Sequence, residues 1–91
     1  MSYENIRHML KTIFVVEFSL PEDVSINIYV EGLRSSGKKE EMKSELAKAF
    51  EDKNISWRNM LVNDEYEVLE FETEEEARAY VKRVLWEPLE G

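Results

Sequence analysis

A single histidine, His8, and the absence of cysteine limit the chemistry open to this 91-residue chain. Neither a thiolate metal site, a Cys–His pair nor a histidine cluster can be built from them. His8 lies in the N-terminal segment and reads as a surface or partly packed residue. The three glycines, Gly32, Gly37 and Gly91, form no phosphate-cradling loop. Ser35, Ser36, Gly37, Lys38 and Lys39 match the end of such a loop only in outline. The first glycine is missing at the required spacing, as is a hydroxyl directly after the lysine, so the segment reads as a loop leading into a basic helix start. Carboxylates are abundant, but each group has a structural role available. Glu74, Glu75 and Glu76 suit a helix N-terminus, and Glu40, Glu41 and Glu45 suit a solvated helix face. Asn63, Asp64 and Glu65 are too short a run for an oxygen-ligand metal loop. No metal, cofactor or catalytic set is therefore expected, and the chain is not read as an enzyme.

The elements that would position these residues follow from spacing. Ser2 is placed to cap a short helix carrying Ile6, Met9 and Leu10 on one face. Residues 12–18 are rich in β-branched and aromatic side chains and read as a strand. Pro21, Glu22 and Asp23 mark a turn. Residues 26–32 alternate, with Ile26, Ile28 and Val30 on one side and Asn27, Tyr29 and Glu31 on the other, which predicts a half-buried strand. Residues 38–53 predict a helix, with Met42, Leu46, Ala49 and Phe50 in one stripe. Residues 55–62 read as a third strand, interrupted by Arg58 and Asn59. A turn at Asn63 and Asp64 leads to a fourth strand over 66–72, with Leu69 and Phe71 toward the core. Thr73 to Glu76 form a capping box. The last helix then presents Ala77, Tyr80, Val81, Val84 and Leu85, and Pro88 ends it. Trp57 and Trp86 read either as caps on the core or as exposed interface anchors.

The length is that of one domain, residues 1–91, with enough apolar residues (43%) for one modest core. No run approaches the length of a membrane span, and Arg7, His8 and Lys11 break any signal-peptide pattern. The lack of cysteine suits a reducing, cytoplasmic setting. Twenty acids against twelve bases give a net charge of −8, which argues against generic binding to a phosphate backbone.

The order (α)ββαββα has the strand and helix succession of the split βαβ pattern. Within it, Ile28, Tyr29, Val30, Glu31, Gly32 and Leu33 resemble the first-strand signature of the RNA recognition motif. Ala49 and Phe50 close a helix in the expected place. Residues 68–77 resemble the end of that family's third strand and the start of its second helix. The resemblance spans residues 26–86. It implies an α+β, ferredoxin-like two-layer sandwich: a four-stranded antiparallel sheet with two helices on one face. The family's last strand has no room after the final helix, so strand 12–18 is expected to fill its slot in a permuted sheet. The RNA-binding signature is degraded. Its basic residue falls on Asp64, its glycine on Glu65, and its two aromatics on Tyr66 and Val68.

On such a sheet Tyr29, Tyr66 and Val68 would form an apolar centre rimmed by Glu17, Glu31 and Glu70. Carboxylates there repel RNA and suit a protein partner with a basic surface. The expectation is a non-enzymatic, acidic protein-binding module, of the inhibitor, immunity or antitoxin type. The alternatives are a single-stranded RNA binder of the RNA recognition type and a homodimeric scaffold.

Overall fold

The computed structural model describes residues 3–15 and 20–90, and among them there is no strand. The chain is a bundle of short helices: α1 (Glu4–Met9), α2 (Glu22–Ser36), α3 (Lys39–Glu51), α4 (Trp57–Leu61), α5 (Glu74–Val81) and α6 (Glu87–Glu90). Two π-helical turns, Leu10–Phe14 and Lys82–Trp86, extend α1 and join α5 to α6. The ferredoxin-like sandwich, its permuted four-stranded sheet and the likeness to the RNA recognition motif are therefore overturned.

Each of the four expected strands fails for a local reason. Thr12, Ile13 and Phe14 finish the first helical segment, because Phe14 continues the Ile6 and Leu10 stripe at four-residue spacing. The rest of that expected strand, apart from Val15, lies outside the described residues, as does the expected cap Ser2. Residues 26–32 sit inside α2. The decisive spacing is Ser25, Tyr29 and Leu33, all buried, while Ile28 is 46% exposed. Ile26 and Val30 lie four apart as well as on one side of an alternation, so they fit both periods. Burial of a four-residue stripe outweighs the β preference of Ile and Val.

Residues 57–61 form α4, where Ser56 is the N-cap and its hydroxyl accepts the Asn59 N–H at 3.2 Å. Trp57, Met60 and Leu61 are buried at helical spacing, and Arg58 and Asn59, which interrupted the alternation, are the exposed positions. The fourth expected strand is an irregular connection. The Asn63 turn forms, with the Asn63 carboxamide oxygen accepting the Glu65 N–H at 2.9 Å. Beyond it there is one isolated antiparallel bridge, Val62 to Glu67. Tyr66 and Val68 face the core; Leu69, expected to face it, is 46% exposed, and Phe71 is half-buried.

Four predicted elements are present; the first is the N-terminal helix, formed as α1, with Ile6 and the following Leu10 buried and Met9 packed against the core. In α3, Met42, Leu46 and Ala49 are buried, with Phe50 packed beside them. Thr73 caps α5, its hydroxyl accepting the Glu76 N–H at 3.1 Å. The Glu76 carboxylate turns back to the same hydroxyl, which donates to it at 3.2 Å. Ala77, Tyr80, Val81, Val84 and Leu85 are all buried as spaced. Pro88, however, does not stop the helix. In the turn before it the Glu87 N–H reaches the Lys82 carbonyl, five residues back, and this widened register precedes the proline that supplies no N–H of its own.

Packing joins α1 to α3, α2 to the Leu10–Phe14 turn and to α3, and α4 to α5. The C-terminal segment closes over α2. Tyr29 lies at the centre, fully buried, with its ring edge-on to Phe14 at 6.0 Å between centroids. Its hydroxyl donates to the Leu85 carbonyl at 2.7 Å. The Cα radius of gyration is 12.2 Å. No helix among the described residues is long and apolar enough to cross a membrane.

Candidate partner-binding surface

Of the six residues expected to form one patch, the five that are described are dispersed. Tyr29, Tyr66 and Val68 belong to the core. The Tyr66 hydroxyl donates to the Met60 carbonyl at 2.7 Å, so this ring fixes the connection against α4. Burial pushes the phenols of Tyr29 and Tyr66 above their usual range. Glu31 is exposed on α2 and pairs with Arg34 at 3.2 Å, within one helical turn. Glu70 is exposed on the connection between α4 and α5. Glu17 lies outside the described residues. With no sheet among the described residues there is no sheet face, and only Glu70 remains on the surface developed below.

That surface is built by residues 64–76. They hold eight acids and no base, and the remaining twelve acids of the chain are matched by its twelve bases. The whole net charge of −8 therefore resides in thirteen consecutive residues. Two backbone bonds hold the start of the segment against α4: Asn63 N–H to Tyr66 O at 3.0 Å and Val68 N–H to Leu61 O at 2.7 Å. Tyr66 and Val68 anchor it from below, which leaves the intervening Glu67 and the following Leu69 and Glu70 facing outward. Arg58 secures the far end, its Nε donating to the Phe71 carbonyl at 2.8 Å.

Some of these acids have internal duties. Glu65 pairs with Lys11 at 3.5 Å on an exposed surface, a contact of little energy. Glu76 turns back to its cap. Glu74 serves two helices at once: it sits in the first turn of α5 and accepts the Trp57 N–H at 2.6 Å and the Ser56 hydroxyl at 3.0 Å, at the start of α4. Two positive helix ends thus converge on one carboxylate. Glu67, Glu70, Glu72 and Glu75 form no ion pair with any described residue. The spacing signal for Glu74 at the α5 cap was visible in the sequence; nothing in the sequence marked its reach to α4.

Leu69 gives the segment an apolar point. It lines a groove with Leu20, 41% exposed, together with Ile13, Phe14 and Tyr80. An apolar centre within a polar, charged rim is the anatomy of a protein contact. Outside this segment acids and bases are equal in number, and Glu22 forms a two-pronged pair with Arg83, which holds its carboxyl below the usual range. Among the described residues no group of three or more His, Asp or Glu side chains is arranged to hold a metal ion.

Comparison with protein-family models, with curated proteins and with solved structures finds no match for this chain.

Proposed function

We propose that this protein is a non-enzymatic binding domain that engages a basic partner through residues 64–76. The observation that carries this reading is the confinement of the entire net charge to that one exposed segment. A uniform scatter of twenty acids would serve solubility. A strip of unpaired carboxylates around an exposed leucine creates a local field and a point of apolar contact. The complementary surface is a Lys- or Arg-rich one with an apolar pocket. The nucleic-acid groove of a nuclease or toxin has that charge, and occupying it would block its ordinary ligand. An inhibitor, immunity or antitoxin role in the cytoplasm follows from this chemistry. Association would be fast at low salt and weaken as salt rises, because the attracting groups are exposed.

The test is comparative capture from the source cell. Wild-type protein and the variant E67K/E70K/E72K are used as paired baits. A basic protein held by the first and lost by the second, with affinity falling as salt rises, is the expected result. Equal retention by both baits, or a partner whose affinity ignores salt, would overturn the reading.

A further inference from the structure

Two cations unpaired among the described residues mark a second surface. Phe50 of α3, Trp57 of α4 and Trp86 of the second π-helical turn form one aromatic cluster. Phe50 lies 5.1 Å from Trp57 and 6.0 Å from Trp86, centroid to centroid. Trp57 is buried, whereas Phe50 and Trp86 are each half-exposed. Two cations stand on the cluster: the Arg78 guanidinium 5.0 Å above Phe50 and the Lys43 ammonium 5.9 Å above Trp86.

Neither cation has a carboxylate partner among the described residues. That is notable for Arg78, because Glu74 and Glu75 sit one helical turn before it. Glu74 is engaged instead at the start of α4. The chain therefore displays carboxylates without bases around an exposed leucine, and bases without carboxylates around two half-exposed aromatic rings. The surfaces adjoin, since α5 begins in one and carries Arg78 in the other. Neighbouring patches of opposite sign are self-complementary under a two-fold axis, each patch of one copy meeting the other patch of its partner.

We infer that the Lys43, Arg78, Phe50 and Trp86 surface docks the 64–76 segment of a second copy of this chain. Leu69 of one copy would then rest on the exposed aromatic edges of the other, with Glu70 and Glu72 reaching Lys43 and Arg78. The dimer would cover the strip that a basic partner needs, so partner and second copy compete for it. The dimer itself stands on the charge complementarity within one chain and needs no external partner.

Sedimentation of the purified full chain tests it, from micromolar to millimolar protein and from low salt to about 1 M, where screening acts within about 3 Å. The expected result is a dimer at low salt that dissociates at high salt. K43E/R78E and E70K/E72K, each checked for helical content by circular dichroism, should weaken association roughly tenfold or more. An equimolar mixture of the two variants should recover it, because one contact of the pair becomes complementary again with reversed signs. A monomer at every concentration and salt overturns the inference, as does a dimer indifferent to both variants, or a mixture of folded variants that stays monomeric. Wild-type protein that captures a basic partner but forms no dimer at any concentration would reject self-docking alone. Loss of capture with an intact dimer would reject only the proposed function.

Discussion

The centre of α2 and the connection before α5 are built from similar residue types and used in opposite ways. Around Tyr29 the structure satisfies everything. The ring is enclosed, its hydroxyl bonds to the Leu85 carbonyl, and no buried side-chain polar atom among the described residues lacks a partner. Along residues 64–76 tyrosine and valine again point inward, but Glu67, Glu70, Glu72 and Glu75 carry charges that the fold leaves without an ion pair among the described residues. The first region trades sequence freedom for stability. The second is attached by a few backbone bonds and two buried side chains, so its outward residues are open to selection for contact with something else. Stability and recognition are thus separable in this chain, and substitution should divide them.

The largest effect should come from Tyr29→Ala, which empties the centre of the core and is expected to cost about 3–5 kcal/mol, the range for a large aromatic side chain. Tyr29→Phe keeps the ring but removes the donor to Leu85, for about 1–2 kcal/mol. Urea titration of both variants separates the ring from the hydroxyl; equal losses would show that the hydroxyl bond does all the stabilising.

Next is Glu74→Ala, expected to cost about 1–2 kcal/mol because a single carboxylate serves the starts of both α4 and α5. A neutral Glu74→Ala, read by urea titration, would show that the carboxylate joining the starts of α4 and α5 adds nothing to stability.

Alkaline pH should act on the buried phenols of the core. Burial raises the Tyr29, Tyr66 and Tyr80 phenols, so the folded protein keeps protons that the unfolded chain releases. Stability is fully present below the unfolded phenol range, near pH 10, and falls as pH rises beyond it. Denaturation midpoints measured from pH 8 to about 11 should decline, and Tyr29→Phe should flatten the decline.

The smallest effect on stability belongs to E70K/E72K, within about 0.5 kcal/mol of wild type. A thermal melt checks this. A large destabilisation would mean that the outward face of the connection is structural after all.

Much of the local structure was legible. The α3 stripe of Met42, Leu46 and Ala49 and the α5 stripe from Ala77 to Leu85 have one consistent period, and Thr73 has a polar cap's chemistry. The fold was not legible, because its decisive segments satisfy two periods at once. Ile26 and Val30 belong to an alternation and to a helix stripe, and only the enclosure of Tyr29 and Leu33 chooses between them. Residues 55–62 were read through their β-branched ends, although Trp57, Met60 and Leu61 already carry helical spacing.

The candidate surface was partly in view. Glu70 was singled out, and Glu74, Glu75 and Glu76 were assigned to a helix N-terminus, which hid the fact that the acids of 64–76 together hold all the net charge. The cations on Phe50 and Trp86 could not be foreseen. They come from helices whose mutual packing depends on the whole core.

One buried residue has a consequence for synthesis. Leu89, in α6, is 2% exposed and belongs to the same core as Ile6. Ribosomes deliver about 5–20 residues per second from the N-terminus onward. The segment carrying Leu85 and Leu89 must leave the exit tunnel before Tyr29 finds its acceptor and the lid on α2 exists. Until then the nascent chain exposes the apolar side of α1, α2 and α3 together, so folding of this domain waits for one of its last turns to emerge.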